Sequence, residues 1–237
     1  MTLLRSSNRD LARSGVWTFT LPALHVTLDD GSRFVTCPNA GVCAAPCYAR
    51  NGTYRFSNVL AAHRKNLEAT FNPEQFERDV IAELQHKRFK HDAFVRIHDG
   101  GDFYSERYAR AWLTIATVMS DVTFYAYTKE VSMFKRLDAL TQVPSNFIVI
   151  YSFGGKEDHL IDRDHDRNCD VFADIESLIA NGYHDQGADD RLAALGPKRV
   201  GIVANKIPKA RRLAAGRSFS DWQGEHDARA SDRALEL

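Results

Sequence analysis

The chain has 237 residues, a length that fits one large domain or two small ones. Because 44% of the residues are hydrophobic, the chain can form a buried core. Its 31 basic and 31 acidic residues give a formal net charge of zero, which excludes a strong overall attraction to nucleic acid or to anionic membranes. The first residues lack the apolar run of a secretory signal, and no stretch is long enough to span a membrane. We therefore expect a cytoplasmic protein with reduced thiols.

Residues 1–15 are polar, and we expect them to be irregular. Residues 16–21 alternate and are rich in β-formers, which predicts a strand. Residues 25–28 predict a second strand and residues 29–32 a turn. Residues 33–36 then lead into a cysteine-rich loop, which we expect just past the carboxyl end of a strand, where α/β folds bind their ligands.

The loop at residues 37–47 holds three of the four cysteines, Cys37, Cys43 and Cys47. Small residues, proline and glycine fill the gaps, which predicts a tight loop with inward thiols. Three thiolates form a ligand set for a soft metal or an iron–sulfur cluster, and three ligands on four irons leave one iron open. A structural zinc site closed by Cys169 or a histidine is the main alternative. Two further alternatives are that the cysteines are buried thiols without a shared role, or that two of them form a disulfide and leave the third unpaired.

The chain then alternates between helical and strand patterns. Helices are expected at residues 57–71, 72–89, 105–120 and 131–140, and strands at residues 93–98, 122–129 and 146–153. The repeated order of strand, loop and helix predicts parallel strands in βα units.

From residue 156 the pattern weakens. We expect a helical turn at residues 175–179, a loop at 181–197, a last strand at 198–204 and a disordered tail at 218–237, after a single domain over 1–217. Asp162, Asp164, His165 and Asp166 either bind a hard metal or form a solvated charged run. The basic residues Lys206, Lys209, Arg211, Arg212 and Arg217 either contact phosphate or form a plain basic helix.

The cysteine loop and the segment Gly100, Gly101, Asp102, Phe103 resemble the radical S-adenosylmethionine (SAM) superfamily. There, three cysteines hold a [4Fe-4S] cluster whose open iron binds the amino and carboxylate groups of SAM, and a Gly-Gly-Glu-Pro segment meets the amino group. The resemblance implies these roles for the three cysteines and for Gly100, Gly101 and Asp102. Five and three residues separate the cysteines here, whereas three and two residues separate them in most of the superfamily. Asp102 and Phe103 also stand in place of the glutamate and the proline.

Residues 34–153 more closely resemble the phage gene product 88 family. The likeness rests on the Cys-x5-Cys-x3-Cys-Tyr-Ala loop, the strand Arg96-Ile97-His98 with its Gly-Asp-Phe-Tyr-Ser end, and the strand that runs from Tyr125 to Lys129. This resemblance implies a fold and a cluster but no substrate, and a phage protein would act in the host cytoplasm.

Other candidate residues follow from strand alternation. Arg96 and His98 differ by two positions and so share one strand face, toward a polar interior or in a structural role. Tyr125, Tyr127 and Lys129 share a face in the same way. Lys129 binds a carboxylate or phosphate, or is a solvated strand-end lysine. Ser152 binds a ribose or is an ordinary strand-end serine, and Asp102 has the alternative of a helix N-terminal carboxylate.

These observations predict a partial parallel (βα) barrel of the radical-SAM, TIM-barrel-like type with five or six βα units. The predicted function is a radical SAM-like enzyme with a [4Fe-4S] cluster, which forms a 5′-deoxyadenosyl radical and acts on an unidentified small molecule or nucleotide with an electron donor as partner. The alternative is a non-catalytic protein stapled by zinc or a cluster that binds a partner, with nucleic acid one candidate.

Overall fold

The computed structural model describes residues 2–6, 11, 14–86, 88–89, 93–187, 189–204 and 208–235. Seven strands form one sheet in the order β1-β4-β5-β6-β7-β9-β8, every neighbouring pair is parallel, and the sheet curls into a half-barrel. These strands are β1 (Val16–Phe19), β4 (Phe94–Ile97), β5 (Thr123–Thr128), β6 (Phe147–Ser152), β7 (Asn168–Phe172), β8 (His184–Asp185) and β9 (Arg199–Val203). A separate antiparallel hairpin joins β2 (His25–Thr27) to β3 (Arg33–Val35).

The helices of the described residues lie between and after these strands. They are α1 (Ser57–Ala69), α2 (Pro73–Leu84), α3 (Glu106–Val118), α4 (Val131–Ala139), α5 (Ile175–Ala180), α6 (Leu192–Leu195), α7 (Pro208–Ala214) and α8 (Phe219–Leu235). Short 3-10 turns occupy Val42–Ala44, Tyr48–Arg50, Gly52–Arg55 and Asp158–Leu160. None of the helices in these described ranges is long and apolar enough to cross a membrane.

Local sequence explains the best-formed elements. Ser105 accepts a hydrogen bond from the backbone N–H of Tyr108 and so begins α3, as the sequence predicts. Tyr108 and Trp112 on its inner face are buried against the sheet. In β5 Phe124 packs in this helix-side core, whereas Tyr125 packs in a second core on the other face of the sheet. The helix-side core therefore fixes which residues of each strand face the inside of the half-barrel.

The predicted α/β fold with a partial parallel barrel is confirmed, but the sheet has seven strands where we expected five or six units. The additional strands are β7, which has no apolar run, and the two-residue β8, which lies in the predicted loop at residues 181–197. Asn168 in β7 is fully buried because its side chain bonds to the carbonyls of Arg163 and Asp166 and to the hydroxyl of Tyr183. A strand that is buried through polar contacts does not show a hydrophobic pattern in its sequence, so the sequence analysis does not predict it.

The strand that precedes the cysteine loop does not belong to the barrel. The cysteine loop follows a strand, as we expected, but that strand, β3, pairs with β2 in the hairpin and not with the seven-stranded sheet. The hairpin is an insertion after β1. Its base is closed because the N–H groups of Thr36 and Cys37 donate to the carbonyl of Leu24, and the N–H of Asp102, just past β4, donates to the carbonyl of Thr36.

The C-terminal segment also differs from the expectation. Residues 219–235 of the predicted disordered tail form α8, and the last two residues lie outside the described part. Its first turns are anchored because the N–H of Ser220 donates to Asp170 and because Gln223 is buried. Seven residues of the predicted irregular segment at 1–15 (1, 7–10, 12 and 13), together with Lys206 and the side chain of Lys209, also lie outside the described residues.

Candidate functional site

A cavity of about 760 Å³ opens inside the half-barrel at the carboxyl ends of the strands. It brings together the residues that the sequence singles out, namely Cys37, Cys43, Cys47, His98, Gly100, Gly101, Asp102, Tyr127, Lys129, Ser152 and Cys169. These residues come from five separate parts of the chain. Their convergence is a result of the fold, and it supports treating them as one site.

The cysteine loop is held mainly by backbone contacts. The N–H groups of Gly41 and Cys43 both donate to the carbonyl of Gly154, at 3.1 and 3.2 Å. The N–H of Val42 donates to the side-chain oxygen of Gln223 in α8 at 2.8 Å. A Cβ atom on Gly41 would lie 2.1 Å from that oxygen, so only glycine permits this contact. The helix that replaces the predicted tail therefore shapes the loop.

The three loop cysteines and Cys169 are free thiols. Burial, followed by the charge of Asp102, raises the pKa of Cys37 to about 12, and Cys43 and Cys47 contribute to that increase. The pKa values of Cys43 and Cys47 are also raised by burial, while the ammonium of Lys129 opposes the increase in both. The three sulfur atoms therefore lie within electrostatic reach of one another and are protonated near neutral pH.

Backbone N–H groups surround the sulfur atoms. The N–H of Leu24 donates to Sγ of Cys37 at 3.4 Å. Backbone hydrogen bonds at Gly41 and Ala49 favour the thiolates of Cys43 and Cys47. Within the described ranges no three His, Cys, Asp or Glu side chains are gathered into a metal-ligand group. The cysteines fit a soft metal or cluster in number, chemistry and location, and ligation would require the loop to draw the sulfurs together.

The glycine segment after β4 packs closely against the chain that follows β1. Gly101 has a φ of +87°, and a Cβ there would lie 2.6 Å from the side chain of Leu21. The carboxylate of Asp102 is buried and accepts from the N–H of Phe103, the hydroxyl of Thr128 and the N–H of Lys129, at 2.7 to 2.9 Å. Asp102 therefore ties the end of β4 to the end of β5. It is not a cap of α3, whose N-terminal residue is capped by Ser105.

Lys129 and Ser152 form a pair on the cavity wall. The Lys129 ammonium donates to the carbonyl oxygen of Ser152 at 3.1 Å and to its hydroxyl at 2.9 Å. Burial lowers the pKa of Lys129, but Cys43, Asp158 and Asp102 outweigh burial and raise it. Lys129 is therefore a buried cation beside the cysteine loop and not a solvated strand-end lysine.

The expectation that Arg96 and His98 share a face is wrong. Strand β4 ends at Ile97, and His98 has a φ of +66°. The alternation of side chains between the two strand faces therefore does not extend to His98. His98 packs between aromatic rings in the helix-side core, and its Nε2 lies 2.8 Å from the hydroxyl of Tyr108. Burial lowers its pKa to about 3, which keeps the imidazole neutral. His98 reaches the cavity only at its edge.

Arg96 does face the cavity, where it is the centre of a buried network. Its guanidinium pairs with Asp190 at 3.2 Å and with Asp99 at 3.4 Å, and it lies over the ring of Tyr127. Tyrosine hydroxyls bind the same two carboxylates, since Tyr54 donates to Asp99 and Tyr125 donates to Asp190, while the hydroxyl of Tyr48 donates to the backbone carbonyl of Asp99. We call these residues the polar floor: Arg96, Asp99, Asp190, Tyr54, Tyr125 and Tyr127.

The sequence reveals only part of the polar floor. Tyr125 and Tyr127 share the expected face of β5 with Lys129, because all three side chains contact residues inside the half-barrel. Asp99 has a weak sequence signal as the first acidic residue after a predicted strand. Asp190 lies between β8 and α6, in the predicted loop, and has no such signal.

The charged run at residues 162–166 is a surface loop. Its carboxylates are occupied by neighbouring groups, since Asp162 accepts from His165, Asp164 pairs with Arg199 and Asp166 pairs with Lys135. The His165 hydrogen bond lowers the pKa of Asp162 to about 2. These contacts support the solvated alternative over a hard-metal site.

Comparison with known proteins adds one finding. The profile of the gene product 88 family matches residues 1–234, so the chain belongs to that family along nearly its whole length. The sequence-based assignment to this family is confirmed, and the match extends well beyond the residues 34–153 that carry the resemblance. No curated protein and no solved structure matches the chain.

Proposed function

We propose that this member of the gene product 88 family is an iron–sulfur enzyme of the radical SAM kind. Cys37, Cys43 and Cys47 would hold a [4Fe-4S] cluster, and SAM would bind between it and residues 100–102. The observation that carries the proposal is that the three cysteines, the glycine segment and Lys129 line one cavity at the carboxyl ends of parallel strands.

The environment of the cysteines suits ligation by thiolates. Ligation displaces the three thiol protons, and the backbone N–H groups near the sulfurs together with the Lys129 ammonium stabilise the resulting negative charge. When bound, the cluster would pass one electron from an external donor to SAM, which cleaves into methionine and a 5′-deoxyadenosyl radical.

The other cavity residues would bind and orient. The Lys129 ammonium uses two of its three N–H bonds on Ser152, which leaves one for a carboxylate of SAM or of substrate. Gly100 and Gly101 let this segment pack against the chain that follows β1, which fixes its backbone at the cavity wall. Because the carboxylate of Asp102 is engaged inside the protein, we assign it to holding this segment in place. The polar floor would form the far wall of the substrate space.

A second candidate is a non-catalytic protein in which zinc staples the loop and a surface binds a partner. The engagement of Asp102 favours it, since three internal hydrogen bonds occupy a carboxylate that the enzyme proposal would otherwise offer to SAM. The two candidates differ at the fourth ligand position. Cys169 lines the same cavity and is the thiol that would close a zinc site.

Metal analysis after anaerobic purification separates the candidates. We expect about four irons and four sulfides per chain and an absorption or paramagnetic spectrum that changes when SAM is added. Cys47→Ser should lose the iron, whereas the matched variant Cys169→Ser should keep it. One zinc without iron, lost in both variants, would overturn the enzyme proposal in favour of the stapled binding protein.

A further inference from the structure

The segment that contains the cysteine loop has an unusual charge distribution. Residues 31–67 include no aspartate or glutamate, although the chain has 31 acidic residues among 237. The same segment carries five basic side chains, Arg33, Arg50, Arg55, Arg64 and Lys65. A protein whose charges cancel overall therefore has one strongly basic region, and that region surrounds the proposed ligands.

Most of these five cations have no anionic partner within the described ranges of the chain. Arg64 pairs with Asp29 and Glu68, which lie outside the segment. Arg33, Arg50 and Arg55 are exposed and form no ion pair with any of the residues that the structure describes. Exposed, unpaired arginines are free to bind an anionic partner.

The unpaired arginines lie at the rim of the cavity. Arg33 lies 3.3 Å from Nδ1 of His25, which directly follows the cavity-lining Leu24. Arg50 ends the 3-10 turn Tyr48–Arg50, whose Tyr48 and Ala49 line the cavity. Arg55 ends the 3-10 turn Gly52–Arg55, whose Tyr54 lines the cavity as well. The basic region is therefore continuous with the cavity mouth.

Exposed aromatic rings accompany the arginines. Phe56 follows Arg55 directly and is 58% exposed, and Tyr48 follows Cys47 and is 37% exposed. A basic surface with exposed aromatic rings is the combination that binds single-stranded nucleic acid, because arginines bind phosphates and bases stack on the rings.

Stabilisation of a negatively charged cluster would account for only part of this pattern. It explains the lack of acidic residues near Cys37 and Cys47, but it does not require Phe56 or Arg55, which project into solvent. A small substrate would not need cations spread from the β2–β3 hairpin to the start of α1. A strand of several nucleotides fits such a spread.

We propose that Arg33, Arg50, Arg55, Tyr48 and Phe56 form a docking surface for single-stranded nucleic acid, which we call the rim surface. The rim surface would deliver one nucleotide of the strand into the cavity, so single-stranded nucleic acid would be the substrate of the proposed enzyme. This last step rests on the proposed function. Docking itself requires neither the cluster nor SAM.

The test measures fluorescence anisotropy of a labelled oligothymidylate of about 15 nucleotides with the full chain, without SAM or reductant. We expect Arg50→Glu/Arg55→Glu to weaken binding at least tenfold. Phe56→Ala should weaken it about fivefold, the equivalent of about 1 kcal/mol of stacking. Wild-type affinity should also fall steeply as salt rises from about 50 to about 200 mM.

The matched control is Arg211→Glu/Arg212→Glu, which makes the same charge change at two exposed arginines of α7. It should leave the affinity within twofold of wild type. Equal loss in both double variants, or no loss in the rim variant, would overturn the rim surface. A thermal melt checks folding, and Arg50→Gln/Arg55→Gln replaces the reversed charges if the first variant melts early.

Iron and sulfide content, measured in the same preparations, keeps the two proposals apart. Protein that holds iron but does not bind the oligonucleotide overturns the rim surface alone. Oligonucleotide binding that depends on Arg50 and Arg55 in protein that holds only zinc supports the rim surface and counts against the radical SAM function.

Discussion

The cysteine loop and the polar floor border the same cavity, but they are stabilised in different ways. In the loop, backbone N–H groups donate to the carbonyl of Gly154 and to the side-chain oxygen of Gln223, and the Cys37 sulfur accepts a long bond of 3.4 Å from the N–H of Leu24. On the floor, the Arg96 guanidinium is fixed by two carboxylates that tyrosine hydroxyls bind in turn. The floor has its shape before a ligand arrives, whereas the loop keeps its bonding capacity for one.

The largest expected effect comes from removing the cation of the floor. Arg96→Met leaves Asp99 and Asp190 buried without their counter-charge, and we expect it to lower the free energy of unfolding by about 3–5 kcal/mol. Urea denaturation measures this loss. The control is Arg107→Met, which breaks the exposed pair with Glu74 and should leave the midpoint unchanged. A decrease in the free energy of unfolding no larger than that of Arg107→Met would show that Arg96 does not stabilise the floor.

A smaller effect is expected at the anchor of the loop. Gln223→Ala removes the acceptor of the buried Val42 N–H, which should lower the free energy of unfolding by about 1–3 kcal/mol and speed hydrogen exchange at that amide. The control Asp227→Ala removes the acceptor of the Gln223 side-chain N–H, keeps the acceptor of the Val42 N–H, and should exchange nearly as slowly as wild type. Unchanged exchange in the alanine variant would mean that α8 does not hold the loop.

The pH dependence of stability tests a second anchor of the cysteine loop, at Glu130. This carboxylate accepts from the N–H and the side-chain amide of Asn39 in the loop, and burial, followed by Asp102, raises its pKa to about 8. The folded protein therefore binds this proton more tightly than the unfolded chain, so stability should fall as pH rises toward 8.

The window from about pH 6.5 to 8 reports on Glu130 and on the neighbouring Asp102, whose pKa burial also raises. Below it, burial of neutral His98 gives the opposite slope, and Asp158, whose pKa burial raises to about 6, also titrates. Glu130→Gln should flatten urea midpoints across this window. A slope that persists in the variant would assign the effect to another group.

The smallest expected effect concerns the reactivity of the loop thiols. Lys129 lowers the pKa of Cys43 and Cys47, so Lys129→Met should reduce their thiolate fraction and slow alkylation by iodoacetamide a few-fold in metal-free protein. Mass spectrometry of the labelled peptides measures each cysteine separately. Faster labelling in the variant would mean that Lys129 mainly limits access to the sulfurs.

The first half of the fold and its main candidate residues follow from the sequence. Strands such as β5 and helices such as α3 bury apolar side chains at regular spacing, and Ser105 begins its helix through a local hydrogen bond. The cysteine loop is equally visible, because three cysteines among proline, glycine and alanine form a local pattern. Local chemistry of this kind depends only on neighbouring residues.

The tertiary structure decided what depends on distant partners. Strand β7 is buried through the side-chain bonds of Asn168, and α8 is anchored by Asp170 and by the backbone of Val42, which is 181 positions away from Gln223. The turn at His98 and the pairing of Arg96 with Asp190 likewise have no local signal. Burial of polar groups is stable only when a partner from elsewhere in the chain satisfies them, so a sequence pattern alone cannot reveal it.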